Sequence, residues 1–546
     1  VCIIFGWWVF GNWRDLTVAF SIISAVVATT VSTMVYGGVS LNMVTVMLPA
    51  ILTTLSMANL IHVITHFHHL REARPEDSLS EIAIQVVRDL WIPCFGAAFT
   101  TIVGFVSLLS AGIIPVIQLG AFAAMAIFLG FLLSISVAPL LLVYFWSNKR
   151  TIYIGKSRSL AAYASRVLPS VARNILNTTR PIIFLFCFIS IAGMTGLHFL
   201  KADSSYLMMF NEDSDIRNSY KHVEKNGFAA SNIRILLEME NGLEDPMTFL
   251  SLDELQKAIN KLSQVTKVVS PLDGFKEIDR ALAKNEFWTQ ENYFNYDRAT
   301  FAQLLFVSEL SNNDDMKDLL LPGNTVGQIF IFTDYLANSE VKKLVNEIEN
   351  LITKHLPPEV KAHVAGMPVL WANMDQELIA AQITGVIVVS IAMLLTLLII
   401  THSISLSVVG LAVNLLPVMT IVGLMAWLDI SLNMGTVLIG SIALGLAVDD
   451  TIHFLWQYVN ERRNGVSVQE ALIVTIRLTG LAIFLTSMII AAGFSVMMLS
   501  QFIPTADFGL FTTSAILLAM LADLLLLPAI LMVLYGNKIK RIEVRT

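Results

Sequence analysis

Asp449, Asp450 and His453 stand in "GLAVDDTIHF" (445–454), inside one of the most apolar stretches of the chain. Charge at the centre of a bilayer is expensive, so ionisable residues placed there are functional candidates by default. Two carboxylates in a low dielectric cannot both keep their charge cheaply, and a carboxyl that takes up and gives back a proton is what a proton relay needs. His453 follows the two acids by four and three residues, a spacing that lets it share their face on a helix. Asp523 in "ADLLLLP", and Thr486 with Ser487 about midway along a neighbouring antiparallel span, are expected at similar depth and are the candidate relay partners. Gly440, Ala443, Gly445 and Ala447 keep one flank of the Asp helix small; Gly440 and Gly445 are the expected points of close helix packing.

These residues need spans to carry them, and the composition supplies spans. The 546 residues are 55% hydrophobic and only 14% charged, with a mean hydropathy of +0.69. Apolar runs long enough to cross a bilayer fall near 16–36, 43–67, 90–111, 118–146, 181–200, 378–400, 405–427, 434–458, 478–500 and 507–535. Residues 1–10 read as the tail of an eleventh. Val1 already lies inside an apolar run without a signal peptide, and the chain reads as one whose N-terminal part is missing. A helix running inward from about Asn433 reaches Asp450 after about 24 Å of rise, within the hydrocarbon layer rather than at its edge.

Orientation follows from the basic residues of the short loops. The connector holds Lys149, Arg150, Lys156, Arg158, Arg166, Arg173 and Arg180 without a single Asp or Glu, and helix counting puts Arg71, Arg74, Arg462, Arg463 and the C-terminal tail on the same side. That side is expected to be cytoplasmic, with 201–377 outside. This outside region reads as α/β. "IRILLEME" (233–240) and "VGQIFIFTDY" (326–335) are strand-like, while 251–265, opened by a Ser or Asp cap, and 338–356 are amphipathic helices. Two strand–helix–strand units therefore occur in series.

The membrane part repeats itself. "SLNMVTVMLPAILTTLSMANLIH" (40–62) matches "SLNMGTVLIGSIALGLAVDDTIH" (431–453) at a constant offset, and Gly104, Pro115, Gly120, Phe122 and Pro139 pair further on with Gly493, Pro504, Gly509, Phe511 and Pro528. Shared Asn, His, Pro and Gly make chance likeness between apolar segments a poor explanation. The two copies have the same orientation, a parallel repeat of the kind found in transporters. Asp449 and Asp450 align with Ala58 and Asn59, so the chemistry should be one-sided, with Asn59 at most a neutral hydrogen-bond partner.

Other chemistries find little support. His62, His66 and His69 recur at helical spacing, but no carboxylate or cysteine completes a site; they read as interfacial histidines, and no metal is expected. Cys2, Cys94 and Cys187 all lie in apolar segments and offer no CxxC site or disulfide framework. No GxSxG, P-loop or HExxH occurs, so neither an enzyme nor ATP-driven transport is indicated. Nothing suggests a nucleic-acid surface.

The aspartate signature, the repeated "GF…P…G.F" blocks, "ADLLLLPAILM", and "VAGMPVLWANMDQEL" leading into a span together resemble the resistance–nodulation–division superfamily. The most similar branch is the MMPL-type exporters, whose membrane core also resembles sterol-sensing domains. The resemblance covers nearly the whole chain. It implies a polytopic α-helical membrane protein, with about eleven of an expected twelve spans present in two parallel five- or six-helix repeats, and an α/β porter-like periplasmic domain. The implied layout is a first membrane repeat at 1–147, a basic cytoplasmic connector at 148–180 and a seventh helix at 181–200. The periplasmic domain at 201–377, a second repeat at 378–535 and a tail at 536–546 follow. It also implies proton-motive-force-driven export in the bacterial inner membrane, with Asp449 and Asp450 as the protonation site, H⁺ as coupling ion and no cofactor. Lipid-handling relatives point to a lipid or other hydrophobic cargo; membrane lipids are expected partners, and a homo-oligomer or periplasmic partner stays open. Two features depart from drug-efflux pumps: the acids lie in the second repeat, and no Lys or Arg lies deep in any span. A non-transporting sterol-sensing-like sensor or scaffold, and an accessory proton-driven secretion motor, are the rival readings.

Overall fold

The computed structural model describes residues 6–7, 11–146, 167, 170, 172–203, 205–226, 229, 231–283, 297–310, 318–321 and 323–536. Most of the partial span at 1–10, most of the basic connector and the tail from 537 onward lie outside the described residues. The chain divides into two compact units, Asp203–Gln376 and the remainder, Val1–Ala202 with Glu377–Thr546.

The second of these is a helical bundle. Its helices are α1 (Trp13–Tyr36), α2 (Leu48–Ala73), α3 (Leu79–Val106), α4 (Ile114–Trp146) and α5 (Thr179–Thr195). Ten helices among the described residues are long and apolar enough to cross a membrane, in agreement with the ten full apolar runs. Several begin before their apolar stretch, because polar first turns carry the caps. Ser78 accepts a hydrogen bond from the Glu81 amide at 3.2 Å while Glu81 bonds back to the Ser78 amide at 2.9 Å, so α3 starts at Leu79 rather than near 90.

The other unit inserts α6 (Asp215–Lys225), β1 (Ser231–Met239), α7 (Pro246–Ile259), β2 (Val265–Val269), α8 (Pro271–Ala283), α9 (Arg298–Leu310), β3 (Val326–Thr333), α10 (Asn338–His355) and β4 (Val360–Ala365). Its sheet has the order β2-β3-β1-β4, all neighbours antiparallel. β1 and β3 alternate buried and outer residues along their length, the period-2 pattern that buries one face of a sheet. Ile233, Ile235, Leu237, Ile329 and Ile331 form that face and share a core with Phe249, Leu252 and Leu255 of α7 and Val341, Leu344 and Ile348 of α10. The sequence puts a helix at 251–265. In the structure α7 starts earlier and stops at Ile259, because Asp245 caps it through the Thr248 amide at 2.9 Å and Pro246 sets the first turn.

The chain then returns to the bundle through α11 (Met367–Thr401), followed by α12 (Ile404–Trp427), α13 (Val437–Arg463), α14 (Val468–Ser495) and α15 (Ile503–Leu521). A π-helical turn, Ala522–Leu526, links α15 to α16 (Leu527–Tyr535). The repeat seen in the sequence has matching local geometry. Asn42 Oδ1 accepts the Val44 and Thr45 amides at 3.0 and 2.9 Å, and Asn433 Oδ1 accepts the Gly435 and Thr436 amides at 2.9 and 3.0 Å. Ser467 caps α14 as Ser78 caps α3, and both helices end in a 3₁₀ turn. Gly120 and Gly509 each abut a backbone carbonyl: an added Cβ would stand 2.5 Å from Phe105 O in one repeat and 2.7 Å from Phe494 O in the other.

Candidate functional site: buried carboxylates of the second repeat

Helix α13 is enclosed on all sides, with every residue from Val437 to Leu455 buried. A helix apolar all round is a core element, and this one carries Asp449, Asp450 and Thr451 at its thirteenth to fifteenth positions, about 20 Å along its axis. Its small flank is used as the sequence implies. Thr101 on α3 donates a 2.9 Å hydrogen bond to the Gly445 carbonyl, and a Cβ at Gly445 would lie 3.4 Å from Thr101 Cα. At Gly440 a Cβ would crowd Gln382 Cδ and Val386 Cγ2 of α11, both at 2.9 Å.

Successive helical residues point about 100° apart, and the three positions fan out accordingly. Asp450 faces α14, where Ser487 Oγ donates at 2.6 Å to Oδ2 and Thr486 Oγ1 at 3.0 Å to Oδ1. Asp449 faces His453 on its own helix, Oδ1 to Nε2 3.5 Å. Thr451 faces α12 and the π turn. Asn414 Nδ2 donates to Thr451 Oγ1 at 2.6 Å, which leaves the hydroxyl proton free to be donated to Asp523 Oδ1. The π turn is where Asp523 sits; such widened turns often mark functional positions.

The acids are deeply buried: Asp449, Asp450 and Asp523 are 9%, 7% and 1% exposed. Among the described residues no Lys or Arg forms an ion pair with any of them. Several polar atoms are also left without a hydrogen-bond partner: Asp449 Oδ1, Asp523 Oδ2, His453 Nε2, His62 Nε2 and Asn414 Oδ1. Each unsatisfied buried group costs about 1–3 kcal/mol, so this bundle core is held in a state that stability alone does not favour.

Thr486 and Ser487 thus meet the Asp pair, but only at Asp450, and Asp523 is reached through Thr451. His453 shares a face with Asp449 alone, because Asp450 is turned toward α14. Asn59 is half-buried on α2, and no hydrogen bond joins it to the carboxylates among the described residues. The expectation of three interfacial histidines needs correction. His62 is buried, 4% exposed, and its ring stacks on His453 with centroids 4.0 Å apart and planes 3° from parallel. The fully enclosed α13 draws that part of α2 into the bundle core. Only His66 and His69 lie toward water, His66 pairing with Asp89 at 3.0 Å. Sequence reasoning also missed Thr451 and Asn414. The first was visible inside the aspartate motif, and the second as a lone Asn within an apolar run.

The MMPL family matches residues 214–544. The chain belongs to the MMPL family. Membrane protein MJ1562 of Methanocaldococcus jannaschii is 24% identical over 368 residues, 65% of this chain and 91% of that one. Among solved structures, the hedgehog release protein Disp of the water bear Hypsibius dujardini aligns with a TM-score of 0.70 at 13% identity, over 97% of this chain and 69% of that one. The fold of this MMPL protein is therefore the polytopic helical fold expected from the sequence, and the chain is a multi-pass membrane protein of a transporter family rather than an enzyme family.

Proposed function

We propose that this MMPL protein is an exporter of lipids or other hydrophobic molecules, driven by the proton-motive force across the bacterial inner membrane, with residues 201–377 in the periplasm. Asp449, Asp450 and His453 carry the proton; Thr486, Ser487 and Asp523 stabilise its positions, with H⁺ as the coupling ion and no cofactor. The observation that carries this reading is the set of three carboxylates buried in one repeat, two of them held by hydroxyl donors and the third beside His453, with no Lys or Arg paired to any of them among the described residues. A carboxylate pinned by Lys or Arg keeps its charge, whereas one held by hydroxyls can exist in either protonation state at modest cost. The likeness to a release protein and membership of a transporter family fit a cargo that leaves the membrane. The lipid cargo and the bacterial setting rest on the family resemblance of the sequence motifs.

The test is reconstitution into liposomes with an imposed pH gradient, following internal pH and movement of a fluorescent lipid together. Asp449→Asn and Asp450→Asn should each assemble normally yet leave both signals flat. Wild-type rates in either variant would refute the reading.

A further inference from the structure

His62 and His453 occupy the same position of the two repeats, and each comes to the contact surface between them. One ring nitrogen of each histidine and a carboxylate oxygen of Asp449 lie within 4.8 Å of one another, with Nε2 of His453 3.5 Å from Asp449 Oδ1. Nε2 of His62, Nε2 of His453 and Oδ1 of Asp449 are buried and make no hydrogen bond; both histidines are more than nine-tenths buried, and the Asp449 side chain is 13% exposed. Nearly all buried polar atoms find a partner in folded proteins, and exceptions call for an ion, a water or a functional reason. Three such atoms drawn together share one need, which a single ligand between them would meet.

We propose that His62, Asp449 and His453 bind a divalent transition-metal ion of the Zn²⁺ class, which bridges the two membrane repeats. The donor set selects the ion. Two imidazoles and one carboxylate suit Zn²⁺ and its first-row neighbours, whereas Ca²⁺ and Mg²⁺ prefer oxygen alone. Bond lengths near 2.0–2.2 Å in a tetrahedral site separate neighbouring donors by roughly 3.4 Å, close to the spacing between Asp449 and His453. The four-residue spacing of those two donors puts both on one face of α13, and α2 supplies the third. One adjustment is required. Lone pairs in parallel ring planes do not converge, so the stacked imidazoles must tilt apart as the ion enters. His66, one turn beyond His62, is partly exposed and pairs with Asp89. A bound ion would also hold Asp449 in its charged form and stop the relay. That consequence rests on the proton-driven reading; the binding itself does not.

The experiment uses the full chain purified in detergent, stripped of metal and titrated with ZnCl₂ by calorimetry, with metal content measured after desalting. Co²⁺ serves as a spectroscopic probe, because its visible d–d bands report tetrahedral nitrogen and oxygen ligation. One Zn²⁺ per chain is expected. Affinity should fall on the order of 100-fold or more in His62→Ala, in His453→Ala and in Asp449→Asn, since even outer-sphere substitutions cost 10–100-fold. His66→Ala should bind as the wild type does. Asp449→Asn preserves side-chain shape and guards against misfolding as the cause of lost binding, and monodispersity is checked for every variant. Absence of stoichiometric binding in the wild type, or binding indifferent to His62→Ala and His453→Ala, overturns the proposal. Metal-free transport by the wild type and its loss in Asp450→Asn test the relay separately, so either idea can fail without the other.

Discussion

The two membrane repeats share a backbone plan and differ in what that plan carries. Both open with an Asn turn, both cap the third helix of the motif with Ser and Glu, and both seat a glycine against a carbonyl at the same place. In the second repeat the core positions are Asp449, Asp450, Thr451, Thr486, Ser487 and Asp523; the aligned positions of the first are Ala58, Asn59, Leu60, Ala97, Ala98 and Ser134. A duplicated scaffold has kept its packing in both halves and concentrated its ionisable groups in one. Packing residues answer to the fold, which both halves need, while a single proton site requires only one set of acids. The histidine at the end of the motif is the exception. It is present in both halves, and the two copies meet.

The largest effect expected from breaking this asymmetry is at Asp450. Asp450→Asn removes the group that both α14 hydroxyls address and should reduce gradient-driven transport at least about 100-fold, the scale of losing a proton-transferring side chain, with unchanged assembly on size exclusion. The packing half of the comparison predicts symmetry instead. Gly120→Ala and Gly509→Ala push a methyl against a carbonyl in equivalent places, and each should lower stability by about 1–3 kcal/mol, read as a fall in thermal midpoint of similar size for both. Unequal losses would show that the repeats are not packed alike.

A buried acid with basic partners gives the contrast. Asp253, in the sheet-bearing unit, is held by Lys276 at 2.5 Å and Lys257 at 2.7 Å. Burial alone would raise its pKa, but the two lysines outweigh burial and hold it below the usual carboxylate range. Its stabilising effect is therefore complete above about pH 4, the unfolded value, and is lost as pH falls through the lower folded value. Asp253→Asn should destabilise that unit by roughly 1–2 kcal/mol at pH 7, with the gap to wild type closing in acid, as denaturant titrations at several pH values would record. The smallest change expected is at Asn59→Asp. An acid placed on the first repeat lacks the hydroxyl pair that Asp450 has, and transport in the liposome assay should stay within about twofold of wild type.

Much of the fold could be read directly because hydropathy reports the spans and period-2 burial reports the strands. Helix starts were read late where a polar turn precedes the apolar run, as at Leu79, or where the cap is an Asp six residues before the expected Ser251, as at Asp245. The candidate site was legible in its types but not in its directions. Spacing along α13 shows that Asp449, Asp450 and His453 are neighbours. Which helix each faces is set by tertiary packing, so the split of Asp450 toward α14 and Asp449 toward His62 was invisible. His62 was misjudged for the same reason: near the end of an apolar run it reads as interfacial, and only the enclosure of α13 places it inside.

The central claim is that carboxyls in the second repeat exchange protons as the protein works. Infrared difference spectroscopy of the reconstituted protein during a pH jump observes that exchange directly through the carboxyl C=O band. The wild type should show a protonation change in this region that disappears in the Asp449→Asn/Asp450→Asn double variant. A band that persists unchanged in the double variant, or a transporting wild type without any carboxyl change, would contradict the account.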